Sequence, residues 1–342
     1  MNHKNRTFAL DGLKLLFMLL IVLHHSTYWK DIFHHGYMAV ELFFVTSGYF
    51  LMRTLDHKPH MSAGTYMRSR LSRLYPHYLL SLVVMFLSTS VYRAGTITLP
   101  MVLRSIPELL LVQNLGIFSG GVNYPCWYLS VLFFAGALIF LLARKLPRKW
   151  FNVLGAVCAV SSYSAILVYA RGSMETFARI GVFYLPFWRG MAGLFCGTLL
   201  YQSHALLQPV FRKFARLFQV MEVLSLGAII GLMFVPGRTD GPILLLILLL
   251  LLCVGSECSV VERLSDNPFV ARAIHYEYAV FLNHAFVIGM GRKICQERLG
   301  LPPFINLPIL LIALVVYSVM TQHFVSKATS VLFHRKEKVN RC

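Results

Sequence analysis

Residues Phe8–Tyr28 read FALDGLKLLFMLLIVLHHSTY, and that stretch decides the fold. It is apolar for the length of a bilayer-crossing helix, which needs about 20 residues for ~30 Å of hydrocarbon. Comparable runs recur at short intervals as far as Phe324. Hydrophobic residues make up 57% of the chain and charged ones only 13%, with a mean hydropathy of +0.64. A soluble domain carries about 25% charged residues, so the shortage of charge points to lipid. The expected class is an all-α integral membrane protein, one membrane domain over residues 1–342 with no separate soluble domain. His3, Lys4 and Arg6 before the first run resemble a signal-peptide start. His24 and His25 follow where a small-residue cleavage motif belongs, so an uncleaved first span is expected.

The apolar runs fall near residues 8–28, 37–55, 74–92, 101–118, 124–143, 151–170, 180–202, 218–236, 241–256, 274–291 and 303–326. The net charge of +18 could suggest nucleic acid, yet the Lys and Arg residues cluster in short loops between these runs, as cytoplasmic loops do. A nucleic-acid partner is therefore not expected. Basic clusters at Arg53–Arg73, Arg144–Lys149, Arg212–Arg216 and Arg335–Lys338 test the count. If all are cytoplasmic, only an even number of spans can separate each from the next, and three runs lie between the first two. Run 101–118 is the weakest, interrupted by Arg104, Pro107, Glu108, Gln113 and Asn114. It is expected to be a re-entrant or interfacial segment packed on protein. About ten transmembrane helices around a polar passage remain, with both termini cytoplasmic in an inner or plasma membrane. Arg292, Lys293 and Arg298 fall outside under this scheme, against the rule. The seven cysteines are scattered, odd in number and without metal-ligand spacing, so neither a metal site nor a permanently bound cofactor is expected.

Ionisable groups inside spans cost about 2.5–3.5 kcal/mol on insertion, so each marks a functional site by default. Lys14 and His25 are eleven residues apart, which puts them on one helix face about 16 Å apart. They either line one passage, or Lys14 snorkels to the headgroups while His25 caps an interface. Glu41, across a short turn, lies at the depth of His25. A carboxylate there fixes an imidazole's tautomer and stabilises its protonated form, as a general base needs; the alternative is an interfacial Glu facing solvent. His24 points about 100° away from His25 and is expected to be packed. Arg70 and Arg73, spaced i, i+3, share a face suited to phosphate, or equally to anionic lipid. Arg189, near the middle of run 180–202, must face a cavity or a partner. His284 carries the same signal more weakly.

These positions lie in recognisable motifs. Lys14 and His25 are separated by ten residues, after Leu10-Asp11-Gly12-Leu13; Glu41-Leu42-Phe43-Phe44 runs into Ser47-Gly48-Tyr49; Arg70-Leu71-Ser72-Arg73 runs into Tyr75-Pro76. Gln113-Asn114, Pro125-Cys126-Trp127-Tyr128-Leu129-Ser130 and Phe281-Leu282-Asn283-His284 follow in order. Together they resemble the membrane acyltransferase-3 family along the whole chain. The resemblance implies an acyl-CoA-dependent acyltransferase of about ten spans. His25 would be its catalytic base and Glu41 the base's companion. Arg70 and Arg73 would hold the CoA phosphates, with Lys14, Arg189, Trp127 and His284 lining the path or binding substrate. Three positions depart from the family pattern. Lys14 stands where Arg is usual and loses the planar fork, Glu41 stands where Asp is common, and Leu132 stands where many members carry Glu.

The expected reaction moves an acyl group, acetyl first, from cytoplasmic acyl-CoA to a hydroxyl of an extracytoplasmic or envelope carbohydrate. The alternative is a glycan or lipid transporter, or flippase, using the same polar interior. Transporters tend to show repeat symmetry and matched broken helices, and the sequence displays neither.

Overall fold

A computed structural model describes residues 3–26, 32–116, 118, 121–175, 177–256 and 259–339. Residues 27 and 28 of the expected first span, together with Cys258 and Cys342, lie outside this set. The helices in chain order are α1 (His3–His25), α2 (Ala39–His57), α3 (Ala63–Ala94), α4 (Leu99–Leu109), α5 (Trp127–Lys145), α6 (Arg148–Tyr169) and α7 (Leu185–Leu206). They continue with α8 (Gln208–Lys213), α9 (Ala215–Met233), α10 (Asp240–Cys253), α11 (Val260–Ser265), α12 (Pro268–Ala273), α13 (Glu277–Gly291) and α14 (Pro303–Val339). Among the described residues the only strand pairing longer than an isolated bridge joins β1 (Arg179–Ile180) to β2 (Phe183–Tyr184), antiparallel, just before α7.

Among the described residues seven helical segments are long and apolar enough to cross a membrane: Phe8–His25, Gly36–His57, Ala63–Ser90, Tyr124–Lys145, Arg148–Tyr169, Ala215–Met233 and Pro303–Ser330. Their outward side chains are apolar, as lipid contact requires: Val157 and Val160 on α6, Val220 and Leu224 on α9, Phe304 and Ile312 on α14 are all exposed. The other three expected spans fall on α7, which has the length at 22 residues but is less apolar, and on α10 and α13, of 14 and 15 residues. Run 101–118 holds α4, whose 11 residues extend only about 16 Å.

Two boundaries differ from the sequence reading. Helix α3 begins at Ala63, not near residue 74, because Ser62 Oγ accepts the Thr65 amide at 3.1 Å and starts the helix there. Arg70 and Arg73 thus lie within a 32-residue helix rather than ahead of it. Helix α7 begins at Leu185, not residue 180. The preceding hairpin turns at Gly181, which sits at φ +62°, and Pro186 then occupies the first helical turn. Arg189 is consequently the fifth residue of its helix, not its middle.

The chain divides into two compact units. The first comprises Met1–Met67, Gln113–Ser119 and Trp127–His275, and its centre is the packing of α2 on α7. That packing is set by glycine. A Cβ on Gly197 would meet Val45 O at 1.9 Å, and one on Gly48 would meet Leu194 O at 2.0 Å. Gly190 and Gly193 seat the Phe44 side chain, and Gly190 also faces Val131 of α5. Small residues at i, i+3 and i+7 let membrane helices approach until their backbones touch. One turn from these contacts, the approach places Glu41 of α2 opposite Arg189 of α7.

The second unit comprises Arg68–Val112, Gly120–Cys126 and Tyr276–Cys342. In it, Tyr75 and Tyr78 donate to the last carbonyls of α4, those of Leu109 (2.8 Å) and Glu108 (2.6 Å). The Glu108 carboxylate accepts the amides of Val122 (2.5 Å) and Asn123 (3.0 Å). The Asn123 amide reaches Ser81 at 2.9 Å and Leu282 O at 3.2 Å, so one chain of polar bonds joins α3, α4, the 121–123 loop and α13.

Gly197→Val is expected to destabilise the protein by more than about 3 kcal/mol, since backbone rather than a flexible side chain blocks the new atoms. Gly227→Ala on α9, where a Cβ meets nothing within 4 Å, should be neutral or stabilising by up to about 1 kcal/mol. Thermal unfolding of the detergent-solubilised protein separates the two.

Candidate active site

A cluster of buried polar groups of the first unit lies where α1 ends and where α2, α5, α7 and α10 begin. Glu41, in the first turn of α2, is fully buried, and its carboxylate is bonded on both oxygens. Arg189 Nε donates to Oε1 as a buried ion pair, and the Tyr163 hydroxyl of α6 donates to Oε2 at 2.5 Å. The other guanidinium nitrogens donate to the carbonyls of Met174 and Tyr37, both at 3.2 Å. Arg189 also lies 5.8 Å from the Trp127 ring centroid and 6.0 Å from that of Tyr37, within cation–π range. Each of the three guanidinium nitrogens thus donates to a protein oxygen, as a buried charge requires.

A second buried carboxylate stands beside this pair. Asp240, the first residue of α10, has 0% exposure. His35 Nδ1 lies 2.7 Å from its Oδ1, while the Tyr37 hydroxyl (2.6 Å) and the Met174 amide (2.5 Å) donate to Oδ2. Tyr37 and Met174 contact Arg189 through their carbonyls and Asp240 through their donors, so they bridge the two carboxylates. The loop carrying His35 is pinned to α9, because the amides of His34 and His35 both donate to Met233 O at 2.9 and 3.1 Å.

Of the residues singled out from sequence, Glu41, Arg189 and Trp127 come together here. His25, the last residue of α1, is half-buried, with its ring 5.4 Å from that of His24. His24 is buried, as expected, with its ring 5.4 Å from Tyr37 and Nε2 3.7 Å from the Glu175 carboxylate. Lys14, further back on α1, lies 3.5 Å from Asp11 and 4.8 Å from the ring centroid of Phe50 on α2. The other three residues belong to the second unit. Arg70 is half-buried and Arg73 exposed on α3, and His284 is fully buried on α13, its Nδ1 donating to Phe281 O at 2.6 Å.

Sequence reasoning missed Tyr37, Tyr163, Met174, His35 and Asp240. Tyr163, inside an apolar run, could have been flagged as Arg189 was. Asp240 in Thr239-Asp240-Gly241-Pro242 read as a turn residue, and nothing local announces its burial.

Seven apolar helices among the described residues, with a buried carboxylate–guanidinium pair and its tyrosine partner between them, define a multi-pass membrane protein. A family model described as an acyltransferase domain matches residues 7–323, and the chain belongs to that family, the acyltransferase-3 proteins. A protein of Komagataeibacter xylinus named "Putative membrane-bound transacylase BcsY" is 28% identical over 189 residues, which are 52% of this chain and 48% of that protein. "Protein 2 in picA locus" of Rhizobium radiobacter is 34% identical over 85 residues, 23% of this chain and 44% of that protein. The chain spans about half the length of these curated relatives. No solved structure matches.

Removing one member of the buried pair leaves the other charge uncompensated, at a cost of about 3–5 kcal/mol. Glu41→Gln and Arg189→Met are each expected to destabilise to that extent. The double variant should lose much less than the sum of the two, and a double-mutant cycle on thermal stability measures the difference.

Proposed function

We propose that this protein transfers an acyl group, acetyl in the first instance, from cytoplasmic acyl-CoA to a hydroxyl of an extracytoplasmic or envelope carbohydrate. The observation that carries the proposal is membership of an acyltransferase family over residues 7–323, in a chain that buries Glu41, Arg189 and Asp240 at the pole where α1 ends. The printed name of the Komagataeibacter relative, a membrane-bound transacylase, supports the same reaction type. In this reading about ten helices span an inner or plasma membrane with both termini cytoplasmic, the seven apolar spans being joined by α7, α10 and α13.

His25 takes the proton from the acceptor hydroxyl as it attacks the thioester carbonyl, and later passes that proton to the departing sulfur. Glu41 supports the site through Arg189 and Tyr163, holding fixed the charged floor on which the reacting groups meet. Arg70 and Arg73 bind the CoA phosphates, a role suited to a planar and permanently charged group. Lys14 lies along the donor's path, and Trp127 and His284 line it.

The protein is to be purified, reconstituted and supplied with acetyl-CoA and an envelope glycan fraction. Thiol release should accompany acetyl transfer, detected as the added mass of an acetyl group on the glycan. His25→Ala should lower kcat about 10²–10⁴-fold. Arg70→Ala should chiefly raise KM for acyl-CoA, as loss of uniform binding does. Glycan or lipid movement across the bilayer with no acyl-CoA consumed would replace this reading with the transporter one.

A further inference from the structure

Between α6 and α7 the chain runs over the pole as an exposed segment held firmly from one side. Met174 is buried, with its amide on Asp240 at 2.5 Å and its carbonyl on Arg189 at 3.2 Å. The Glu175 amide donates to Ser173 Oγ at 3.1 Å, the Leu185 amide to Ala178 O at 2.8 Å, and Trp188 Nε1 to Ile180 O at 3.3 Å. The β1–β2 hairpin closes the segment, and the Tyr184 amide ties it to Leu115 O at 3.2 Å. A loop fixed through its backbone offers its side chains in a set geometry, and binding residues are often carried in this way.

The side chains it offers alternate. Glu175, Phe177 and Arg179 are exposed, whereas Met174 is buried and Ala178 and Ile180 are partly covered. A period of two is that of an extended chain, so a carboxylate, an aromatic ring and a guanidinium share one face. Phe177 is 50% exposed and meets Trp127 edge to face, with ring centroids 6.0 Å apart at 90°. Arg179 Nε donates to Gly181 O at 3.2 Å, and its guanidinium lies 6.0 Å from the Tyr184 ring centroid, which holds the side chain across the hairpin. The Glu175 carboxylate, 58% exposed, lies 3.7 Å from Nε2 of His24, whose ring is 5.4 Å from that of His25. Two side-chain contacts therefore separate this face from the proposed base.

We infer that Glu175, Phe177 and Arg179 form a binding site for a pyranose unit of the carbohydrate acceptor. This deepens the acyl-transfer reading and rests on it. A pyranose has two kinds of surface. Its ring face bears C–H groups of slight positive charge, which match the negative face of an aromatic ring. Its rim bears hydroxyls, which donate to Glu175 and accept from Arg179 in charge-assisted hydrogen bonds. A membrane anchor has a different make-up. Interfacial belts use Trp and Tyr, whose rings have a polar tip, and the anionic headgroups that attract Arg repel a carboxylate. An exposed phenyl ring between a carboxylate and a guanidinium suits a hydroxylated, uncharged ligand. The three residues hold and orient the acceptor, and proton transfer stays with His25.

Thiol release from acetyl-CoA by the reconstituted full-length protein gives kcat and separate KM values for acetyl-CoA and for the envelope glycan fraction. Phe177→Ala should raise the glycan KM about 10-fold, as truncation of an aromatic anchor does, with kcat and the acetyl-CoA KM within about 2-fold of wild type. Phe177→Trp should keep the glycan KM within about 3-fold of wild type, since it keeps the aromatic face. Glu175→Gln should raise it about 5-fold by removing the charge from one hydrogen bond. Val182→Ala, at the exposed tip of the hairpin, should change neither KM. A glycan KM unchanged in Phe177→Ala or in Glu175→Gln overturns the inference. Loss of Phe177→Ala from the membrane without a change in glycan KM also overturns it and assigns the ring to lipid. Calorimetric titration of the purified protein with the glycan fraction, without acetyl-CoA, reads the site apart from catalysis. A wild type that never releases thiol removes the acyl-transfer reading. In that case glycan binding weakened by Phe177→Ala sustains the site, whereas no binding, or binding the variant leaves unchanged, removes the site as well.

Discussion

The bond between Arg189 and Glu41 imposes a condition on everything around it. Neither residue could be buried alone in an apolar interior, and together they are tolerated only when the guanidinium and carboxylate are in contact and their remaining donors and acceptors are filled. Contact demands that α2 and α7 approach until backbone meets backbone, which is why Gly48 faces Leu194 and Gly197 faces Val45. The remaining guanidinium nitrogens need acceptors, and the carbonyls of Met174 and Tyr37 supply them. The hairpin, the late start of α7 and its glycine face all serve one ion pair.

The same pole collects the amino ends of four helices, α2, α5, α7 and α10. Each contributes partial positive charge from unsatisfied amides, and the two buried carboxylates sit in two of these first turns, Glu41 on α2 and Asp240 on α10. The field of the backbone therefore favours anions here. Charges that cancel one another in pairs also need no mobile counterion, and in a dry interior each hydrogen bond around them is strengthened.

The span pattern was legible because it depends on length and apolarity, which are local. Among the described residues seven of the expected runs became helices meeting both criteria, while α10 and α13 are shorter and α7, with Arg189 in its second turn, is less apolar. The positions of Glu41, Arg189 and Trp127 were legible too, each as a residue that an apolar helix should not hold or as part of a motif. Their partnership was not. The short turn between the first two spans set Glu41 at the depth of His25, but it could not show that Arg189, five residues into its helix, would reach the carboxylate. Asp240 escaped altogether, because an aspartate before Gly-Pro looks like any surface turn until residues 35, 37 and 174, far away in sequence, close over it.

Acyl transfer to a neutral hydroxyl asks for little binding charge and much control of protons. In the proposed reaction a sugar acceptor brings no ionised group for Arg189 to grip, and each guanidinium nitrogen already donates to a protein oxygen, of Glu41, Met174 or Tyr37. In that reading the acceptor meets the Trp127 face and the His25 imidazole. The fixed charges and the reactive atoms are thus different atoms, and that division suits a membrane enzyme. In the proposed reaction the proton traffic falls to His25 at the edge of the cluster, while the buried carboxylates and the guanidinium hold the geometry against which a proton can be exchanged.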